Sequence, residues 1–198
     1  MYPLVESIKL KDGVIQNLEY HQNRLNRSMD ELFPGAEKIE LVKVISIPEA
    51  CKSGIYKVRV LYKETLEKIE IEPYKARSIQ SLKVVFHESV DYHLKFTDRQ
   101  VLDQLFSQRG DCDDIIIVKN GFVTDSFATN LLFFDGREWF TPSTSLLKGI
   151  KRQFLLDQKM IVEKEIREQD IRKYQKVGLI NAMIDFEEMP VIPMERVV

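Results

Sequence analysis

The sequence predicts an α+β protein folded in two lobes. Strand-like runs are joined by short turn pairs, Asp12-Gly13, Asn120-Gly121 and Asp135-Gly136, which favour antiparallel hairpins. The helical segments stand apart from these hairpins, whereas a doubly wound parallel sheet needs a helix after each strand. At 198 residues and 44% apolar composition, the chain is long enough to bury a sizeable core.

The elements follow in order. Leu4 to Leu10 alternates in polarity, and Val14-Ile15 returns after the Asp12-Gly13 turn. Asn17 is placed to cap a helix whose apolar face is Leu18, Leu25, Met29 and Leu32, with His21 among them. That helix ends before Pro34, which disfavours helical geometry in the residue ahead of it. A weaker helix is expected over about 38–46. Two strands follow, 55–63 and 67–74, paired antiparallel. A short strand spans 82–86, and the lobe boundary is set so that 1–88 and 89–198 are separate. Beyond it, Thr97 or Asp98 caps a helix with Val101, Leu102, Leu105 and Phe106 on one face. Hairpins follow at 114–124 and 130–140. A helix covers about 150–159, strands cover 160–166 and 177–182, and a short helix lies between them near 170–174.

Composition excludes several functions. Twenty-nine basic against 31 acidic residues give a net charge of −2, so no strong field for nucleic acid or an anionic membrane is expected. The longest aliphatic run, Ile115 to Val118, is far too short to cross a bilayer. No signal-peptide pattern opens the chain. Two isolated cysteines and three histidines without metal-ligand spacing argue against a disulfide framework or a zinc site. A reduced, cytoplasmic protein is expected.

Four segments carry candidate chemistry. In Leu147-Lys148-Gly149-Ile150-Lys151-Arg152, a glycine leads into a helix, where backbone N–H groups and the helix dipole favour an anion; an ordinary loop-to-helix junction reads the same way. His21 and Arg24 share a helical face, and arginine clasps phosphate with two parallel bonds; a solvated arginine beside a partly buried histidine is the plain alternative. Lys95 lies between Leu94 and Phe96, where desolvation would free its amine as nucleophile and base, although most lysines are surface residues. Asp125 follows a strand in an apolar stretch. It either pairs with a buried cation or caps Phe127 or Ala128 as an Asx turn.

In order, these segments resemble the fold-type IV (class IV) aminotransferase family, which depends on pyridoxal 5′-phosphate (PLP). The likeness runs from Leu4 to about Pro193. Val5 to Leu25 is similar to the family's opening strand, D-G turn and H-x-x-R-L helix. Leu94-Lys95-x-x-x-Arg99 resembles the L-K-x-x-N-R segment of the family's 4-amino-4-deoxychorismate lyases. Val123-Thr124-Asp125 through Asn130-Leu131 resembles V-T-E-x-x-x-x-N-L. Thr141-Pro142 and Gly149-Ile150-Lys151-Arg152-Gln153-Phe154 resemble T-P and G-I-x-R-Q-F, and Asn181-Ala182-Met183 resembles N-A-L.

The resemblance implies a set of roles. Lys95 would hold PLP covalently and then act as the proton-transfer base. Asp125 would pair with the pyridine nitrogen, keeping the ring an electron sink. Arg24, Gly149, Ile150, Lys151, Asn181 and Ala182 would cradle the phosphate. Arg59 and Arg152 stay open between structure and substrate-carboxylate binding. The implied fold is two-lobed, with a shortened N-terminal lobe and PLP between the lobes. The implied assembly is a homodimer acting on a small-molecule amine. The expected reaction converts 4-amino-4-deoxychorismate to 4-aminobenzoate and pyruvate, in folate synthesis. The alternatives are a branched-chain or D-amino acid aminotransferase, or a binding protein that kept the fold and lost catalysis. Two departures stand out: Asp125 is one methylene shorter than the family's usual glutamate, about 1.5 Å, and Lys151 stands where the transaminases often have threonine.

Overall fold

The computed structural model describes residues 3–198. The chain divides into two compact units. One runs to Ala76 and takes in Leu94–Asp98; the other comprises Arg77–His93 and Arg99–Val198. The sequence places the boundary at 88/89, with Lys95 in the second lobe. The structure groups Lys95 with the first unit, because its short segment pairs with a strand there.

That strand is β1 (Leu4–Lys11), in a four-stranded antiparallel sheet with β2 (Val14–Ile15), β3 (Ile55–Tyr62) and β4 (Leu66–Pro73), in the order β2-β1-β3-β4. β1 and β3 pair along their whole length, from Leu4 opposite Tyr62 to Lys11 opposite Ile55. Because side chains alternate across a strand, Leu4, Glu6, Ile8 and Leu10 share one face. Leu4, Ile8 and Leu10 pack with Val58, Val60 and Tyr62, and with Leu25 and Met29 of helix α1 (Leu18–Leu32). Glu6 is the one charged residue in that inward row, and it is fully buried. On its other edge, β2 reaches only Leu10 and Lys11. The edge near Leu4 is taken by the incoming segment: Val5 N–H donates to the Lys95 carbonyl at 2.9 Å, and Thr97 N–H donates to the Pro3 carbonyl at 2.8 Å.

Asn17 does stand at the start of α1, but in the left-handed region (φ 53°) and with no side-chain capping bond. Asparagine tolerates that conformation better than most residues. The helix expected over 38–46 shrinks to one turn, α2 (Leu41–Val44). Its β-branched neighbours Ile45 and Ile47 disfavour continuation. Gln22 fixes the turn instead, accepting from Leu41 N–H and donating to the Ile39 carbonyl.

The second unit is layered. A three-stranded sheet contains β5 (Leu82–Phe86), β6 (Asp114–Lys119) and β7 (Phe122–Val123). A five-stranded sheet is built from β8 (Asn130–Phe134), β9 (Trp139–Pro142), β10 (Val162–Lys164), β11 (Lys176–Ile180) and β12 (Val191–Pro193), in the order β10-β9-β8-β11-β12. Ile116 and Val118 face the core shared with Leu131 and Phe133 of β8. Ile115 and Ile117 face the opposite way, under helix α3 (Gln100–Ser107). Leu132 turns outward to pack with Leu155 of helix α4 (Ile150–Asp157). A strand covered on both faces reads as an unbroken aliphatic run, which is why Ile115 to Val118 does.

Three expectations change here. β5 and β6 are parallel, joined by the crossover that contains α3, so the unit is not built of hairpins alone. The residue capping α3 is Arg99 rather than Thr97 or Asp98; the Thr97 hydroxyl is spent on the Pro3 carbonyl. β12 is an additional strand, paired antiparallel with β11.

Candidate active site

In the first unit the predicted residues gather around Glu6. Its carboxylate accepts from Arg24 Nε at 2.8 Å, from Arg24 Nη2 at 2.6 Å, and lies 2.5 Å from His21 Nδ1. Helical spacing brings His21 and Arg24 to the face of α1 that covers β1. Arg24 is 7% exposed, so the solvated-arginine alternative does not hold. Burial pushes Glu6 up, but the Arg24 charge and the bonds from His21 and Arg24 outweigh it and hold the carboxyl down to about 2. Burial, the main cause, lowers His21. Its bond to Glu6 opposes that shift, and the charges of Arg24 and Lys95 add to it. His21 is therefore neutral. An ionised carboxylate only accepts, so the ring proton sits on Nδ1. His21 Nε2 is then a buried lone pair with no hydrogen-bond partner among the described residues.

Lys95 reaches this cluster through its backbone. Its carbonyl is bonded to Val5, the residue before Glu6, and its ammonium acts on His21. The structure thus brings Arg24 and Lys95 together in one unit, although they are distant in sequence.

In the second unit the predicted residues gather around Asn130, at the start of β8. Its Nδ2 donates to Asp125 Oδ1 at 2.7 Å and to the Leu147 carbonyl at 2.9 Å. Leu147 N–H donates to Asp125 Oδ2 at 2.9 Å. The Asx-turn reading of Asp125 therefore fails. Phe127 N–H turns to Asp114 instead. Burial pushes Asp125 up to about 6; the N–H groups of Leu147 and Leu146, the Asn130 amide and the charge of Arg152 offset this only in part.

Gly149 precedes α4 with an ordinary extended backbone (φ −69°), so no left-handed turn demands a glycine. The demand is steric: a Cβ there would come within 1.9 Å of Asn130 Oδ1. The N-cap residue is Gly149, which has no side chain to cap the first turn of the helix. Lys151 is buried, with Nζ 3.7 Å from Asp185 Oδ1. Asn130 also pairs with Ile180 across β8 and β11, which sets Asn181 and Ala182 beside this junction. Asn181 folds its own turn, accepting from Met183 N–H at 2.9 Å and donating to the Ala128 carbonyl at 3.3 Å.

Two arginines that the sequence leaves open make intrachain bonds. Arg152 is buried, bonded to the Thr141 hydroxyl, the Pro142 carbonyl and Glu163, where it ties α4 to β9 and β10. Arg59 pairs with Glu70 across β3 and β4 at 2.7 Å. Glu6 and Asn130 are the residues whose positions sequence reasoning missed. Glu6 had a signal, a charge in the inward register of an alternating strand. Asn130 had only its place in a motif. Among the described residues no cluster suits a metal ion and no helix is long and apolar enough to cross a membrane. Cys51 and Cys112 are free.

The sequence profile of the amino-transferase class IV family matches residues 3–192. An uncharacterised protein of Haemophilus influenzae Rd is 37% identical over 185 residues, which cover 92% of this chain and 98% of that one. The crystal structure of a candidate 4-amino-4-deoxychorismate lyase from Haemophilus somnus 129PT superposes with a TM-score of 0.88 at 35% identity, covering 92% of this chain and 97% of that one. A hypothetical aminotransferase from Mycobacterium tuberculosis in its PLP-bound form has the same fold, with a TM-score of 0.78 at 17% identity over 96% of this chain and 80% of that one.

Proposed function

The chain belongs to the class IV aminotransferase family, and from that footing we propose that it is a PLP-dependent 4-amino-4-deoxychorismate lyase. The observation that carries this reading is the meeting of Lys95 and Arg24 beside Glu6: an amine and a phosphate-seeking guanidinium within one unit. The residues also fit the cofactor chemically. Asp125 is a buried carboxylate bonded only to neutral donors, and its complement is a cation such as a protonated ring nitrogen. The start of α4, with a glycine at its N-cap, suits a phosphate oxygen.

Bound there, PLP supplies an electron sink. The chain supplies the rest. Lys95 Nζ would hold the aldehyde carbon and take the proton from the amine-bearing carbon of the substrate. Positioned proton transfer of this kind is worth about 10²–10⁴ in rate. Loss of that proton lets the enolpyruvyl C–O bond break. The leaving group is protonated to pyruvate, the ring becomes aromatic, and no second substrate is consumed. Asp125 would hold the ring nitrogen protonated. Phosphate-directed roles would fall to Arg24, to Gly149, Ile150 and Lys151, and to the Asn181-Ala182 turn. The likeness to the Haemophilus somnus protein supports the lyase over transamination of a branched-chain or D-amino acid. The reading carries with it a homodimer in the cytoplasm.

The test is borohydride reduction of the PLP-loaded protein, with mapping of the modified lysine, followed by assay on 4-amino-4-deoxychorismate. Label on Lys95 and pyruvate formed without an amino acceptor are expected. Acceptor-dependent amino acid formation would replace the lyase by a transaminase. A colourless protein with no labelled lysine would remove the cofactor altogether.

A further inference from the structure

A glutamate in the inward row of an otherwise apolar strand is costly unless something needs it there. Burying a carboxylate is tolerated only with full pairing, and an apolar residue of similar volume is often no worse for stability. Glu6 is 0% exposed and satisfies two different side chains at once. It grips Arg24 by the Nε/Nη2 edge, which fixes the plane and rotation of the guanidinium. It accepts from His21 Nδ1, which fixes the tautomer and leaves the lone pair on Nε2. That nitrogen is buried and without a partner among the described residues, so the ring is held in an orientation that serves no visible packing bond.

We propose that Glu6 is a positioning residue: by holding Arg24 and His21 together it sets the phosphate recognition of the first unit and assigns the two side chains opposite jobs. Arg24 is held in one plane and rotation, which sets how its guanidinium is presented to the cofactor's phosphate. His21, with its proton committed to Glu6, cannot donate to an oxyanion. Its Nε2 is a seat for an N–H or O–H donor. Without the carboxylate the guanidinium keeps its charge but loses its orientation, and the imidazole is free to change tautomer. Glu6 touches neither cofactor nor substrate; it acts through its two partners. This inference rests on the PLP reading above.

The test separates the two claims. The full-length protein is titrated with PLP and, separately, with pyridoxal, which lacks the phosphate; the ratio of the two affinities isolates phosphate recognition. Wild type is expected to bind both aldehydes and to prefer PLP strongly. Glu6→Gln, which keeps the shape and removes the charge, is expected to lower that preference about tenfold or more while still binding pyridoxal. In nitrogen-15 spectra of the cofactor-free protein, His21 is expected to show the neutral form protonated at Nδ1, and Glu6→Gln to lose it. A Glu6→Gln protein that melts earlier yet keeps the wild-type preference and tautomer overturns the proposal and leaves the PLP reading standing. Should Glu6→Gln not fold, Glu6→Asp keeps the charge but cannot span both partners, and the same loss of preference is required of it. Failure of wild type to bind PLP through Lys95 removes the functional reading itself, a result that the variants cannot imitate.

Discussion

Glu6 and Asp125 are both carboxylates removed from water, one in each unit, and their acidities move in opposite directions. Glu6 is held down to about 2 and Asp125 is pushed up to about 6. Burial is the largest influence on each, and it raises both. The difference lies in the donors. Glu6 faces a guanidinium and an imidazole; Asp125 faces a side-chain amide and backbone N–H groups, with Arg152 acting only through its charge. Full hydrogen bonding is thus not full compensation. A carboxylate supplied with neutral donors is still short of a cation, whereas one gripped by a guanidinium is not. Asp125 is bonded to neutral donors alone, and Glu6 holds one cation of the protein's own, Arg24, together with a neutral imidazole.

The sharpest way to break this comparison is Lys95→Ala. It removes the proposed covalent amine while touching neither carboxylate. Turnover should fall at least about 10³-fold, and borohydride should fix no label. The same variant removes one of the charges that hold His21 unprotonated, so the His21 pKa should rise. Measured by proton NMR titration, an unmoved histidine would mean that Lys95 does not act on the Glu6 cluster.

Arg24→Ala tests the completeness of Glu6. With its strongest partner gone, the carboxylate stays buried with only His21, and breaking such a pair costs about 3–5 kcal/mol. The informative experiment is the double variant Arg24→Ala/Glu6→Gln. Removing the stranded charge should return much of the lost stability in urea unfolding, without restoring PLP affinity. If the losses of the two single variants simply add in the double, Glu6 and Arg24 are not coupled.

Sequence reading reached the two regions unequally, for physical reasons. Hairpins announce themselves through turn pairs, so β1, β2, β6, β7, β8 and β9 were legible from Asp12-Gly13, Asn120-Gly121 and Asp135-Gly136. Strand β12 was not, because Pro190 precedes it and Pro193 ends it, and proline ordinarily argues against a strand. The parallel pairing of β5 with β6 is a choice of partner, and alternation within a strand says nothing about partners. The grouping of Lys95 with β1 was hidden for the same reason, since Leu94–Asp98 carries no periodic pattern of its own. At the site, residue types were readable from the family likeness, but their arrangement was not. Arg24 was expected to turn its fork to a phosphate and turns it to Glu6. Gly149 was read as an opening for an anion and is required by Asn130.

Stability against pH sharpens the comparison further, and the two signs differ. Glu6 is lowered on folding, so its contribution is present above about pH 4.5 and is lost as pH falls toward 2. Asp125 is raised on folding, so the unfolded chain releases that proton first. The Asp125 contribution therefore falls as pH rises from about 4 to 6, while His21, lowered on folding, contributes with the opposite sign below about 6.5. The two carboxylate effects each amount to about 3 kcal/mol. Urea unfolding of each variant against wild type across this range should resolve the two carboxylate contributions. Glu6→Gln should flatten the acid limb alone, and Asp125→Asn the limb between 4 and 6 alone. Binding of PLP should also flatten the second limb, because a protonated ring nitrogen supplies the missing cation. A second limb unchanged by PLP would place the ring nitrogen away from Asp125.

The smallest expected effect tests the neutral cage. Gly149→Ala adds one methyl group with no change in charge and no backbone strain. The new Cβ would lie 1.9 Å from Asn130 Oδ1, so the Asn130 side chain must move. As it moves, its amide leaves Asp125 Oδ1 and the Leu147 carbonyl, and a buried group without its bond costs about 1–3 kcal/mol. Because that amide helps hold Asp125 down, losing it should push the carboxyl higher still and carry the limb between 4 and 6 toward neutral pH. Thermal melts at pH 5 and pH 7 read both consequences: the variant should be destabilised at both, and more at pH 7. Equal destabilisation at the two pH values would mean that Asn130 braces the loop without influencing the charge of Asp125.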